Sequence, residues 1–332
     1  MREQPKLTGS GDTAAPLVGV LSNRESTRNR KSFARLREKI SRTPHVFHIE
    51  ISDIADIPKA LKMFADARVA LVAVNGGDGT IQAVLSHLYH DKPFSTQPLL
   101  AILPGGKTNM IANDLGVRGA PWRVLKRLLK RVRRNRLDSR IVARSAIALD
   151  PGDGLPARLG MFLGGAGMIN AILWCRTKVH TRRLGSEKLE HALAILLLTL
   201  SIVSPFHRSP IAASEMRLET GDGAPIEGRF CLVIGTTLKA LLFNLKPFGC
   251  SGEGAIKFSA IESGTASVLR AVIAVVTGWF GKQPPRGAHA GRTDRLIMHT
   301  TDPVTLDGEI FTPIEGKPII LQATGAFRFL RP

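Results

Sequence analysis

The chain has 332 residues, enough for two domains and a sizeable core, and its 44% hydrophobic and 22% charged content is that of a folded globular protein. Its 46 Lys and Arg against 27 Asp and Glu give a formal charge of +19, which calls for an acidic partner: a membrane surface, a nucleic acid or a phosphorylated ligand. Aromatic residues make up only 5%, with a single Tyr, a poor stock for stacking bases, so nucleic acid is not expected. Cys175, Cys231 and Cys250 are scattered without a CxxC, which argues against a zinc site and suits a reducing compartment.

The first residues, MREQPKLTGSGDTAAP, are polar and lack the apolar core of a signal peptide. The longest uncharged apolar run, ALAILLLTLSIVSPF at 192–206, is shorter than the roughly 20 residues that a spanning helix needs. It reads as a buried or interfacial helix, and the protein as soluble or peripheral.

LVGVL (17–21) looks like a first strand, and FARLREKI (33–40) sets Phe33, Leu36 and Ile40 on one helical face. VFHIEI (46–51) alternates as a strand does, and PKALKMFADA (58–67) reads as a helix opened by Pro58. ALVAVN (70–75) is a strand ending in GGDGT, followed by a helix with Ile81, Val84, Leu85 and Leu88 on one side. LLAIL (99–103), then PGG, then a helical start at Thr108 repeat the unit. This alternation predicts a parallel sheet with helices on its faces. Ligands of such sheets sit at the carboxyl ends of the strands, so the two glycine loops can share one site.

PWRVLKRLLKRVRRN (121–135) is a basic amphipathic helix, with Trp122, Leu125, Leu129 and Val132 on one face and seven Arg and Lys on the rest. From about 140 the texture turns to short β-type runs (IVARSAIAL, ARLGMFLG, RFCLVIG, AIKFSAI, RLIMHT, PIILQA), interrupted by helical patterns at 186–204 and 265–278. The expected organisation is an α/β domain over 1–135 and a mostly antiparallel β domain over 136–332, with the last residues free to return to the first domain.

LPGGKTNM (103–110) contains the Gly-Lys-Thr of a P-loop, but Ala101 stands where the motif requires its first Gly. What remains is a strand, two glycines and a helix start, a geometry that aims backbone N–H groups at an anion. Gly76-Gly77-Asp78-Gly79-Thr80 is a second such loop. Its glycines permit close approach of a ligand, and the helix that follows offers free N–H groups and a positive dipole end. Asp78 would repel phosphate directly, so its role is through Mg²⁺ or an ordering hydrogen bond. The plainer alternative is a tight βα turn with a capping Asp.

VNGGDGT after one strand, PGGKTNMIANDLG after the next and a distant LDGE (306–309) together resemble the diacylglycerol-kinase catalytic family, which includes bacterial lipid kinases and the sphingosine and ceramide kinases. The resemblance runs over roughly 17–330. It implies an N-terminal α/β nucleotide domain, a C-terminal β-sandwich that holds the lipid, and an active site between them. It further implies that Gly76, Gly77, Asp78, Gly79 and Thr80 hold the ATP phosphates and Mg²⁺, with Asn23, Gly106 and Asn109 matching other motif positions. Lys107 and Thr108 belong to the same second loop. Asp307 and Glu309 match the catalytic Asp-Gly-Glu. Asp307 is then the base that takes the proton of a lipid hydroxyl, and Glu309 orients it or binds Mg²⁺. Taken alone, LDGE is a hairpin turn.

The sequence departs from the family at Lys107 (usually Thr), Met110 (usually Asp), Arg24 (Pro) and Gln82-Ala83 (Asn-Glu). Ser251-Gly252-Glu253-Gly254 stands where many relatives have an ion-ordering Asp-Asp-Gly. The expected activity is ATP-dependent phosphorylation of a diacylglycerol-like, ceramide-like or sphingoid lipid. The setting is cytoplasmic and peripheral to the inner face of the membrane, which the 121–135 helix would contact. An NAD kinase-like enzyme, which would need an Asn-Glu pair that the chain lacks, and a degenerate nucleotide- or lipid-binding regulator stay open. The sequence sets no oligomeric state and leaves room for a homodimer.

Overall fold

The computed structural model describes residues 16–134, 140–167, 213–221, 223–241, 245–249 and 251–332. The helical pattern at 186–204, the apolar run at 192–206, Cys175, His180, His191 and Cys250 lie outside them. The chain divides into two units, Met1–Ala143 with Phe327–Pro332, and Arg144–Ala326. The division falls beyond the break at 135/136 read from the sequence, because strand β5 (Ile141–Arg144) still belongs to the first sheet.

In the first unit, β1 (Val18–Asn23), β2 (Val46–Ile51), β3 (Leu71–Gly76) and β4 (Leu99–Pro104) are parallel, as the alternation of strand and helix requires. The sheet order is β2-β1-β3-β4-β17-β5, where β17 (Phe327–Leu330) pairs parallel with β4. Every residue of β1 and β3 is buried, the mark of parallel strands covered on both faces. Helix α1 (Asn29–Ser41) buries Leu36 and Ile40, and α2 (Ile57–Asp66) buries Ile57, Ala60, Leu61 and Phe64. Helix α3 (Asp78–His90) buries the expected stripe of Ile81, Val84, Leu85 and Leu88. The second glycine loop leads into α4 (Met110–Asp114), a helix of five residues, and then into α5 (Pro121–Arg133).

The helix read from Thr108 starts two residues late, because Asn109 adopts a left-handed conformation (φ 50°) that no α-helix accommodates. Helix α5 buries Val124, Leu125, Leu128, Leu129 and Val132, a wider stripe than the one read from the sequence, while Trp122 is half-buried. Each fully buried side chain of that size contributes about 1.5–3 kcal/mol, so α5 is fixed to the unit by its apolar face and shows solvent mainly its charges.

In the second unit the strands pair antiparallel, as expected, in a sheet of eleven strands among the described residues. The reading IVARSAIAL breaks at Ser145-Ala146, so β5 and β6 (Ile147–Asp150) fall in different sheets. ARLGMFLG likewise breaks at Met161 into β7 (Arg158–Gly160) and β8 (Phe162–Gly165). The long strand β10 (Ile226–Thr236) pairs along one edge with β9 (Ser214–Thr220) and then β8, and along the other with β11 (Ile256–Glu262). The sheet therefore branches there. Its arms supply one apolar core that includes Leu149, Leu163, Leu218, Phe230, Phe258 and Leu321. A second cluster, formed by Cys231, Ile261, Val268, Ala271, Ala274 and Phe280, lies beneath helix α6 (Thr265–Val276).

Burial pushes the Cys231 thiol up to about 11. A raised thiol pKa keeps the neutral form: the contribution to stability is complete below the ordinary value and lost as pH climbs through the folded one. With Cys175 and Cys250 replaced by Ser, the native protein should therefore resist thiol reagents near pH 8 and react in denaturant. Rapid native labelling would mean that the cluster under α6 is open.

Candidate active site

The carboxyl ends of β1, β3 and β4 are in register, with Ser22 beside Asn75 and Gly76 beside Pro104. Strand order reverses between β1 and β3, because β2 lies on one side of β1 and β3 on the other. A crevice outside the strand ends at such a point is the usual ligand position in an open α/β sheet. The GGDGT loop follows β3 there, and the 105–109 loop follows β4.

The two loops touch backbone to backbone. A Cβ on Gly106 would lie 2.4 Å from the Gly77 Cα, and one on Gly77 would lie 3.2 Å from the Gly106 Cα. The Gly105 N–H donates to the Gly76 carbonyl at 2.9 Å. Asp78 completes the junction: its Oδ2 accepts the Met110 N–H at 3.0 Å and its Oδ1 the Ile111 N–H at 3.1 Å. Burial raises the Asp78 pKa, and the N–H groups of Met110, Ile111 and Asn109 pull against that rise. Asp78 thus takes the ordering hydrogen bond, between loops rather than within its own turn.

Asn109 closes its loop on both sides, accepting the Gly106 N–H at 2.9 Å and donating to the Gly106 carbonyl at 2.7 Å. Asn23 accepts the Glu25 N–H at 2.9 Å and donates to the Thr80 hydroxyl at 3.0 Å, tying β1 to the start of α3. Lys107 is half-buried and Thr108 exposed, and Lys107 makes no hydrogen bond or ion pair among the described residues.

Buried polar residues that sequence reasoning missed stand behind these. Asn29 donates to the Asn23 carbonyl at 2.6 Å and more weakly to that of Asn75 at 3.4 Å. Asn75 donates to the Ser22 hydroxyl, which also meets the His48 Nε2 at 3.0 Å. Burial holds the His48 pKa below its ordinary value, against the nearby Glu50 carboxylate. A polar residue closing the otherwise apolar run ALVAVN was the available signal for Asn75.

In the second unit, LDGE is a two-residue hairpin between β14 (Val304–Leu306) and β15 (Glu309–Phe311). Asp307 (φ 49°) and Gly308 (φ 100°) are both left-handed, as a type I′ turn demands. Asp307 nevertheless has a placement that a bare turn does not need. Its carboxylate accepts the Met161 N–H at 3.0 Å and the Phe162 N–H at 2.9 Å, at the start of β8. Gly160 leaves room for this, since a Cβ there would come within 2.9 Å of the Asp307 Oδ2. Glu309 is exposed. The Ser251–Gly254 loop is held by Arg292, which donates twice to the Gly254 carbonyl, and by Asp294, which accepts the Ala255 N–H.

The residues fit a nucleotide's phosphates. Helix α3 has Gly77 at its N-cap with no side-chain cap, its first turn offers N–H groups, and a Cβ on Gly79 would meet nothing within 4 Å. A magnesium ion would rest on the Asp78 carboxylate, each of whose oxygens accepts one N–H group, together with the nucleotide's own phosphates.

Residues 18–138 match the diacylglycerol kinase catalytic domain. This match covers strands β1 to β4 and both glycine loops. Three solved structures from Bacillus anthracis str. Sterne, one of them described as a diacylglycerol kinase, align over 96% of this chain and 98% of their own. They are 15, 16 and 17% identical to it, with TM-scores of 0.68, 0.66 and 0.63. A yeast NADH kinase complexed with NADH aligns over 96% of this chain and 84% of its own at 11% identity and TM-score 0.52. These likenesses show a shared fold: an α/β domain followed by an antiparallel one. No curated protein matches the sequence. Among the described residues no helix is long and apolar enough to cross a membrane.

Asp78→Asn would turn an amide NH₂ toward Met110 or Ile111 and leave a backbone donor unsatisfied. It should cost about 1–3 kcal/mol in denaturant unfolding; an unchanged midpoint would remove the junction from the stability of the unit. Gly79→Ala and Gly106→Ala separate packing from ligand approach. Gly106→Ala should lower Tm, because the new Cβ meets backbone. Gly79→Ala should leave Tm unchanged or raised and weaken nucleotide binding in calorimetry. Wild-type affinity in Gly79→Ala would move the phosphates away from the α3 N-terminus.

Proposed function

We propose that this chain transfers the γ-phosphate of ATP to the hydroxyl of a diacylglycerol-like, ceramide-like or sphingoid lipid, working as a cytoplasmic enzyme peripheral to the inner membrane face. The observation that carries this reading is the junction of two glycine loops beside the uncapped start of α3, inside the segment that matches a kinase catalytic domain. In this reading the N–H groups at Asp78–Thr80 and at Lys107 and Thr108 receive the phosphates, and the Lys107 side chain adds a positive charge near them. ATP supplies the phosphoryl group. Asn23, Thr80 and Asn109 fix the loops that receive it.

A lipid hydroxyl is a poor nucleophile at neutral pH, so a carboxylate must accept its proton as the new O–P bond forms and the bond to ADP breaks. We assign that role to Asp307. Two backbone donors hold its carboxylate in one orientation, and Glu309 follows at the first position of β15. The cationic side of α5, which includes Arg123, Lys126, Arg127 and Lys130, is exposed and would face anionic lipid. Each such charge near the surface contributes about 1 kcal/mol.

Labelled ATP with a panel of lipid alcohols and NAD tests the reading: a phosphorylated lipid is expected, and a phosphorylated NAD alone would replace lipid with nucleotide as the acceptor. Asp307→Asn should lower kcat by about 10²–10⁴-fold and abolish the acidic limb of the pH–rate profile. An Asn side chain would also aim an NH₂ at Met161 or Phe162, so Tm is measured alongside. Full rate with the acidic limb intact would leave LDGE as a hairpin only, and a dead Glu309→Gln beside an active Asp307→Asn would transfer the role of base to Glu309.

A further inference from the structure

Helix α6 has two apolar faces, and only one is used. Val268, Ala271 and Ala274 pack inward with Cys231, Ile261 and Phe280. On the opposite side Leu269 is 42% exposed, Ile273 53% and Val276 72%, and Trp279, just past the helix, is 48% exposed. Spacings of four and three residues set the first three in one stripe, with Trp279 continuing the line one turn on. This is one run of large apolar side chains facing out, not scattered single ones.

The surrounding charge says what covers it. From Ser263 to Thr293 there is no Asp or Glu, whereas Arg270, Lys282 and Arg286 fall within that stretch, and Glu262, just before it, lies 2.9 Å from the His289 Nε2. Arg270 donates from Nη1 to the Arg286 carbonyl at 3.0 Å, which fixes a guanidinium at the margin of the stripe. A second copy packed on this face about a two-fold axis would oppose these cations to themselves. An anionic bilayer opposes them to phosphate. Trp suits the headgroup level, with its ring in the acyl boundary and its N–H in water. Twelve residues of helix extend about 18 Å, enough to lie in the interface and too short to span it.

We propose that the outer face of α6, with Trp279, is a membrane-insertion surface that seats on an anionic bilayer: Leu269, Ile273 and Val276 enter the acyl boundary, and Arg270, Lys282 and Arg286 meet the headgroups. This surface differs in kind from α5, whose aliphatic stripe is buried in its own unit and whose exposed side is mainly charged. It does not depend on the lipid-kinase reading, and its test reads no phosphorylation.

The full chain carrying Trp122→Phe and Trp174→Phe keeps Trp279 as its one tryptophan. Mixed with vesicles of acyl-brominated phosphatidylcholine and phosphatidylglycerol, it should show a blue shift and quenching of that fluorescence, both weaker in vesicles of the brominated phosphatidylcholine alone. At a salt concentration that screens exposed charge, Leu269→Glu/Ile273→Glu should lose sedimentation with these vesicles, with Tm and circular dichroism held. Val276→Asp, at the most exposed position, is the second variant should the double one fail to fold. Unquenched Trp279, or variants that pellet as the wild type does, would overturn the proposal. So would unchanged pelleting with a dimer turned to monomer in light scattering, which would make the face a contact between copies.

Discussion

The first unit turns on one carboxylate. Glycine loops after β3 and β4 would each be free to move if held only by their own strands. Asp78 begins α3 and reaches across to the N–H groups that begin α4, so two helix starts share one acceptor. The contact between Gly77 and Gly106 follows from this, because backbones so close leave no space for a side chain on either. Burial of that carboxylate is costly, and three N–H groups of the α4 entry offset the cost in part. The arrangement gives the crevice a rigid floor of peptide groups at the place where strand order reverses.

Behind the floor lies a chain of buried polar side chains: His48 to Ser22, Ser22 to Asn75, Asn29 between the Asn75 and Asn23 carbonyls, and Asn23 to Thr80. Apolar residues at these strand ends would pack as well but would leave the loop backbone without partners. Asn29 and Asn75 each keep one buried oxygen with no partner, both 3.0 Å from where a Gly105 Cβ would be. Gly105 is thus excluded from carrying a side chain by a polar crowd, as Gly106 is by the facing loop.

Periodicity made most of the architecture legible. The parallel strands, the stripe of α3 and the antiparallel character of the second unit follow from apolar spacing alone. What escaped were features set by single backbone conformations. Asn109 in the left-handed region delays α4, and no periodic signal marks such a residue. The breaks at Ser145-Ala146 and Met161 are invisible in runs whose hydrophobicity continues through them. LDGE shows both sides of the matter. The turn chemistry of Asp-Gly was readable and correct, while the two N–H groups that hold Asp307 come from residues about 145 positions away. Local sequence cannot show a partner at that distance; the likeness to known kinases pointed at the residue without its geometry.

The departures from the family pattern become intelligible once the side chains are seen to serve the protein. Met110 contributes only its backbone N–H to Asp78, a task that any residue but proline performs, so the loss of Asp at that position leaves the junction whole. Gln82 is buried and lends its carbonyl to Ser86 within α3, again a backbone task. Asn23, Asp78 and Asn109 have their polar atoms engaged by the loops themselves: Asn23 by Glu25 and Thr80, Asp78 by Met110 and Ile111, Asn109 by Gly106. In the proposed site, what is left to face a phosphate is therefore peptide N–H at the start of α3 and at Lys107 and Thr108, together with the Lys107 ammonium. A site built of backbone tolerates side-chain change at many positions and resists it at the glycines.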